Sequence, residues 1–232
     1  MQAMHRRALI AFTLAPALAL AQTQPRRAAP PPAPPPAQRG STVLAGAERA
    51  AVLGRVEAYL GGIRTLKARF LQLAQNGATA EGTAWIQRPG RMRFDYDPPT
   101  PMLLVASFGQ FLFYDRELRS PSVVPTSATP LGILLQENLR LSGAVTIEEV
   151  AREGGFLAVT LFRTDSPGDG RLTLIMDETP MQLRQWVVLD TQNRTTRVTL
   201  SRIETGLTFD TAIFAFNDPR FFEPGGLGAP QR

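Results

Sequence analysis

The chain has 232 residues, 44% hydrophobic and 19% charged, with 25 Lys+Arg against 20 Asp+Glu for a formal charge of +5. It has no cysteine, and its one histidine, His5, lies in the N-terminal leader. A disulfide framework, Cys-His and Ser-His-Asp nucleophile systems and the usual zinc sites are therefore excluded downstream of that leader. Removing Arg6 and Arg7 with the leader leaves +3, too mild and dispersed for a nucleic-acid binder.

His5-Arg6-Arg7 forms a basic n-region, Ala8 to Leu20 is apolar, and Ala19-Leu20-Ala21 is a small-x-small cleavage site before Gln22. Residues 1–21 read as a secretory signal peptide, too short for a membrane span, which takes the chain out of the cytoplasm. Without a cysteine the chain is not itself lipidated there. Residues 22–44 read as an extended linker, because PPPAPPP enters neither a helix nor a central strand. One domain is expected over residues 45–222, with a flexible Gly/Pro-containing tail at 223–232.

Ala45–Leu60 is predicted as a helix, with Ala47, Ala51, Val52, Val56, Tyr59 and Leu60 in one apolar stripe and Gly61-Gly62 ending it. Ile63 to Gln75 reads as extended. Asn76-Gly77 is a hairpin turn, with a returning strand over Thr79–Gln87. Pro89-Gly90 makes a corner before a strand over Arg91–Asp97. A hairpin over Met102–Ala106 and Phe111–Asp115 turns at Ser107-Phe108-Gly109-Gln110, and a weaker strand covers Leu118–Val124. Thr129-Pro130 caps a short helix over Leu131–Gln136. Strands then follow near Val145–Ala151, Phe156–Arg163, Arg171–Met176, Leu183–Leu189, Thr195–Glu204 and Phe214–Phe216. Short strands at this spacing with tight turns make a large antiparallel meander, which must curl, split or close.

Alternation through the third and fourth of these segments puts Ala84, Ile86, Arg88, Met92, Phe94 and Tyr96 on one face. That face is either a filled core or an apolar cavity under the two helices. Arg88 is the odd member. A charge among apolar side chains needs acceptors. Trp85 and Trp186 each adjoin inner-face residues and are expected to point the other way, or else to lie at a strand edge. Glu148-Glu149 reads as a solvated edge, and Asp165 and Asp169 as turn residues without calcium-loop spacing. The Arg-rich strand faces (Arg91, Arg93, Arg194, Arg197, Arg202) read as solvated.

TAWIQRPGRMRFDYDPP, LLVASFGQFLFYD and TPLGILL, in this order, together with the terminal FDTAIFAFNDP, resemble the outer-membrane lipoprotein carrier family, LolA, over residues 45 to 222. The resemblance implies a mainly β fold: an incomplete antiparallel barrel covered by a helical lid. It implies a periplasmic carrier of acylated lipoproteins, loaded by an inner-membrane ABC-type releasing complex and unloaded at the outer membrane, with or without a separate acceptor there. The acyl chains would be held by Ala84, Ile86, Met92, Phe94, Tyr96, Leu131, Leu134 and Leu135. The family's arginine in the RP motif, here Arg88, would hold the empty lid closed through lid backbone. The chain departs from the family at Met92, where a bulky aromatic is frequent, and at Ser107-Phe108-Gly109, where an Asp-Gly turn is frequent.

No enzyme activity, cofactor, metal or nucleic acid is expected, and the protein is read as a monomer. A carboxylate-pair hydrolase is a formal alternative. So is a periplasmic module that senses lipoproteins and regulates a membrane-bound factor. Such a sensor needs a further C-terminal domain, and the chain ends soon after its expected last strand.

Overall fold

Alternating apolar residues and tight Gly turns fold residues 40–215, the portion described by the computed structural model, into one antiparallel sheet. Its strands are β1 (Thr42–Val43), β2 (Thr65–Ala74), β3 (Thr79–Gln87), β4 (Arg91–Tyr96), β5 (Met102–Ser107), β6 (Gln110–Asp115) and β7 (Ser120–Pro125). They continue as β8 (Val145–Glu153), β9 (Phe156–Arg163), β10 (Arg171–Glu178), β11 (Met181–Leu189) and β12 (Thr195–Thr205). The spatial order of this 12-stranded sheet is β1-β8-β9-β10-β11-β12-β2-β3-β4-β5-β6-β7. The sheet is open, since β1 and β7 form its two edges. Register shifts at Ile147/Glu149, Ile175/Met176 and Ser201/Glu204 bend it, as bulges do in a sheet of this width.

The connections dictate a cover. The helix α1 (Gly46–Gly62) joins edge strand β1 to central strand β2. The link from β7 to β8 runs from one edge of the sheet to the far side, passing through 3-10 turns at Thr126–Ala128 and Pro130–Leu135. Both connections bury side chains in the cluster that fills the inner face: Val52, Val56 and Leu60 from α1, and Ile133, Leu134 and Leu135 from the longer 3-10 turn. The architecture is therefore an incomplete antiparallel barrel with a helical lid.

A second, smaller apolar cluster, Leu103, Val105 and Leu112, sits on the outer face of β5 and β6. The chain after β12 packs near β4 and β5 as a 3-10 turn, Thr211–Phe214, with Phe214 buried. Arg93 Nη1 donates to Ile213 O at 3.0 Å to hold it there.

Four expectations need correcting. The terminal stretch near Phe214–Phe216 is not a strand over its described part. Gly206 (φ +74) turns the chain off β12, and Asp210 accepts from Ala212 N at 2.9 Å to cap a 3-10 turn instead. The helix expected over Leu131–Gln136 is a 3-10 turn one residue earlier, with Thr129 Oγ1 accepting from Leu131 N at 3.1 Å. Thr42–Val43 lies inside the stretch read as linker but pairs with Arg152 and Ala151 of β8. Ala47 and Ala51 are exposed, so the helix stripe is narrower than expected. The signal peptide, most of the linker and the tail lie outside the described residues.

Candidate functional site

Arg88 follows β3 directly and continues its inward alternation after Ala84 and Ile86. Its side chain is 9% exposed, and among the described residues no carboxylate pairs with it. Its donors go to backbone instead. Nε donates to Leu134 O at 2.7 Å, and Nη1 donates to Ile63 O at 3.1 Å and to Leu60 O. Leu60 belongs to the last turn of α1, Ile63 is its C-cap, and Leu134 belongs to the long 3-10 turn. One guanidinium thus ties both parts of the cover to the end of β3.

The acceptors are apt. The last carbonyls of a helix lack intrahelical donors and carry the negative end of its dipole. The last turn of α1 has no basic residue of its own, so Arg88 brings the cation from another element. Burial lowers the Arg88 pKa to about 10, with the nearby Arg64 charge adding to the effect, and the group stays cationic at neutral pH. A charge-assisted hydrogen bond is worth roughly 1.5–3 kcal/mol. Two main-chain bonds support the corner: Arg88 N donates to Arg64 O at 2.8 Å, and Gly90 N to Leu135 O at 2.9 Å.

Beneath this corner the expected lining residues do converge. Ala84 and Met92 are fully buried, with Phe94 at 3% and Ile86 at 5%. Leu134 and Leu135 are buried above them, while Leu131 is only half-buried at the margin of the same cluster. Tyr96 is half-buried, and its hydroxyl donates to Gln72 Oε1 at 2.7 Å. Burial raises its pKa to about 12. The rings pack as a series: Phe70 to Phe94 at 4.8 Å, Phe70 to Tyr96 at 5.0 Å, and Phe94 to Trp186 at 6.0 Å. Sheet and lid side chains thus pack against one another over this face, with Tyr96 and Leu131 at its half-buried margin.

The far side of α1 is pinned to the other half of the sheet. Glu178 on β10 accepts from Arg55 at 2.6 Å and from Arg152 Nε at 2.5 Å, and Arg152 also reaches Glu48 at 2.5 Å. Tyr59 Oη accepts from Leu183 N at 3.0 Å. Glu57 accepts from Leu141 N and Arg140 Nη1, each at 2.9 Å, beside an open groove of about 350 Å³ lined by Gly54, Ala58, Gly61, Asn138 and Leu139.

A family model described as outer membrane lipoprotein carrier protein LolA matches residues 61–217. The chain belongs to the LolA family. It is 30% identical over 174 residues to an outer-membrane lipoprotein carrier protein of Methylococcus capsulatus, covering 71% of this chain and 83% of that one. It is 27% identical over 179 residues to a protein of the same name from Dechloromonas aromatica, covering 73% and 85%. Among solved structures it is similar to a LolA superfamily protein of Nitrosomonas europaea, with a TM-score of 0.39 and 8% identity over 72% of this chain and 96% of that one.

Within this LolA-family domain, two inner-face residues escaped the sequence reading. Trp186 was expected to point outward, yet it is 1% exposed and packs edge-on against Phe94. The reason is the bulge at Ile175/Met176. Met176 pairs with Leu183 and Ile175 with Gln185, which leaves Arg184 as the extra residue on β11. Alternation therefore slips by one, and both Leu183 and Trp186 face inward. Ile133, also unremarked, is buried because a 3-10 turn presents consecutive residues differently from the α-helix assumed. Trp85 is half-buried on the opposite side of β3 from Ala84 and Ile86, as expected. Glu148 and Asp165 are engaged by Arg171 and Arg163 at 2.9 and 2.8 Å. Among the described residues no group of His, Cys, Asp or Glu is placed to hold a metal, and no helix is long and apolar enough to cross a membrane.

Proposed function

We propose that this protein is a periplasmic carrier that takes the acyl chains of lipoproteins between its sheet and its lid, and moves them from the inner to the outer membrane. The observation that carries this reading is Arg88, a buried cation whose partners are backbone carbonyls on both lid elements. A structural arginine in a permanent core would gain more from a carboxylate. Carbonyl partners hold the lid with bonds that can be exchanged for solvent when it lifts.

Loading follows from the same contacts. Lifting the lid breaks the Arg88 bonds and uncovers Ile86, Met92, Phe94, Leu134 and Leu135. Acyl chains replace the lid against these side chains, and each buried CH₂ is worth about 0.8 kcal/mol. A few chains therefore offset the lost hydrogen bonds without any polar recognition. When cargo leaves, re-formation of the latch and of the ring series stabilises the empty carrier and opposes return. In this reading Arg88 is the latch, the eight apolar residues singled out from sequence line the space once it opens, and Trp186 and Ile133 join them. The cargo would come from an ABC-type releasing complex and pass to an outer-membrane acceptor.

The test is native mass spectrometry of the mature protein titrated with a triacylated lipopeptide and with its deacylated form. The expected result is a stoichiometric complex with the acylated form alone. Equal binding of both, or of neither, would contradict the carrier reading.

A further inference from the structure

The inner face turns polar at the end away from Arg88. Along β2, Leu66, Ala68 and Phe70 point inward and are buried. Gln72 comes next in that alternation. It pairs with Val198 of β12, which is 5% exposed, and with Ala80 of β3, so it shares their inner face. Its chain neighbours Leu71 and Leu73 point outward and are 42% and 40% exposed. The end of β2 thus puts two leucines in solvent and a half-buried amide inside, the reverse of what burial favours.

Tyr96 reaches the same point from β4, two strands away. It crosses β3 where the inward residues are only Ala80 and Gly82. A Cβ on Gly82 would stand 2.6 Å from the Phe70 ring, so glycine is required there. The Tyr96 ring packs edge-on against Phe70 at 5.0 Å, and its hydroxyl donates to Gln72 Oε1 at 2.7 Å. Burial pushes the Tyr96 pKa up to about 12, so the hydroxyl keeps its proton. An amide whose oxygen is held in this way presents its two N–H donors elsewhere. Among the described residues, nothing accepts from Gln72 Nε2.

A bare hydrocarbon on this face needs no donor. The polar atom that an acyl chain brings with it is its carbonyl oxygen, which is costly to bury without one. Ala80, opposite Gln72, and Arg88 are eight residues apart on one extended stretch, about 26 Å. The chains of one bilayer leaflet span about 15 Å. A chain whose carbonyl sits at Gln72 reaches Phe94 and stops short of the Arg88 corner, so the two polar ends of the face serve different partners.

We propose that the Gln72 amide, pinned by Tyr96, binds the ester or amide carbonyl of an acyl chain and so orients the cargo. The site rests on the carrier reading above and gives that cargo a chemical class: chains joined through a carbonyl, as against ether-linked ones. Gln72 is the binding group. Tyr96 is a positioning residue that acts through it.

The test uses two synthetic S-glyceryl-cysteine lipopeptides, one with ester-linked chains and one with the same chains ether-linked. Each is titrated calorimetrically into the mature wild type, Gln72→Leu and Tyr96→Phe, with thermal midpoints as a check on folding. The readout is the ester-to-ether affinity ratio of each protein, in which a general loss of affinity cancels. Gln72→Leu is expected to lower the ratio about fivefold, the size of one neutral hydrogen bond. Tyr96→Phe keeps the ring and is expected to lower the ratio by less; it carries the test alone if Gln72→Leu does not fold. A ratio that both variants leave at the wild-type value would overturn the proposal, even if both affinities fall. A lowered ratio in Gln72→Leu with none in Tyr96→Phe would overturn the positioning role of Tyr96. A wild type that binds neither lipopeptide would instead overturn the carrier reading beneath it.

Discussion

Arg88 was legible from sequence because alternation places it among Ala84, Ile86, Met92 and Phe94, where a charge demands acceptors. Which acceptors it finds was not legible from the alternation, since Leu60, Ile63 and Leu134 are brought to it only by the fold. Trp186 shows the opposite failure. Counting by twos from Leu183 puts it outside, and one extra residue at a bulge brings it in. That placement makes it a reporter. The chain has two tryptophans, so Trp85→Phe leaves Trp186 alone against Phe94. If acyl chains enter where the rings meet, a fatty acid brominated along its chain should quench most of the Trp186 emission at saturation, and an unbrominated one should not. Absence of quenching at saturating ligand would place the lipid elsewhere and contradict the assignment of Phe94 and Trp186 to the lining.

At the scale of elements, β3 and β9 were read with their observed bounds, and the other long strands within a few residues, because their turns carry Gly, Pro or Asn-Gly. The two-residue strand β1 was not, since Thr42–Val43 is too short to show a period and adjoins a proline-rich run. The anchoring of α1 was also invisible, because Arg55, Arg152 and Glu178 are far apart in the chain and each reads as an ordinary surface charge. Together they fasten one side of α1 to the sheet. The salt bridges hold α1 to β8 and β10, whereas Arg88 holds it to the end of β3. The Glu178 carboxyl lies below its ordinary value of 4.5, chiefly through the Arg152 hydrogen bond. Glu57 is lowered too, chiefly by the Leu141 amide and then by Arg140. A lowered folded pKa contributes stability that is present above the unfolded value and is lost as pH falls through the folded one. The thermal midpoint of the wild type should therefore hold steady from neutral pH down to about 4.5 and fall below it. Glu178→Gln should lower the midpoint at neutral pH and flatten the acid side of the profile. A profile for Glu178→Gln parallel to that of the wild type would show that this carboxylate does not anchor the helix.

For the whole molecule, the meander and its lid follow from the strand spacing and from a link that must cross from β7 to β8. The packed state of the inner face could not be read in advance, because the same alternation serves a filled core and an open cavity. What distinguishes a carrier from a merely stable half-barrel is that the filled state is reversible, with the lid held by bonds weaker than the cargo's gain. Arg88→Leu removes those bonds while leaving an apolar side chain in the core. The most direct measurement is a two-step transfer assay with this variant, following loading from inner-membrane vesicles and then unloading to outer membranes. The account predicts that Arg88→Leu still loads but unloads several-fold more slowly, because the closed empty state is no longer favoured, with Arg88→Lys between the two. Loss of loading alone, or equal loss of both steps, would contradict it and leave Arg88 a structural residue.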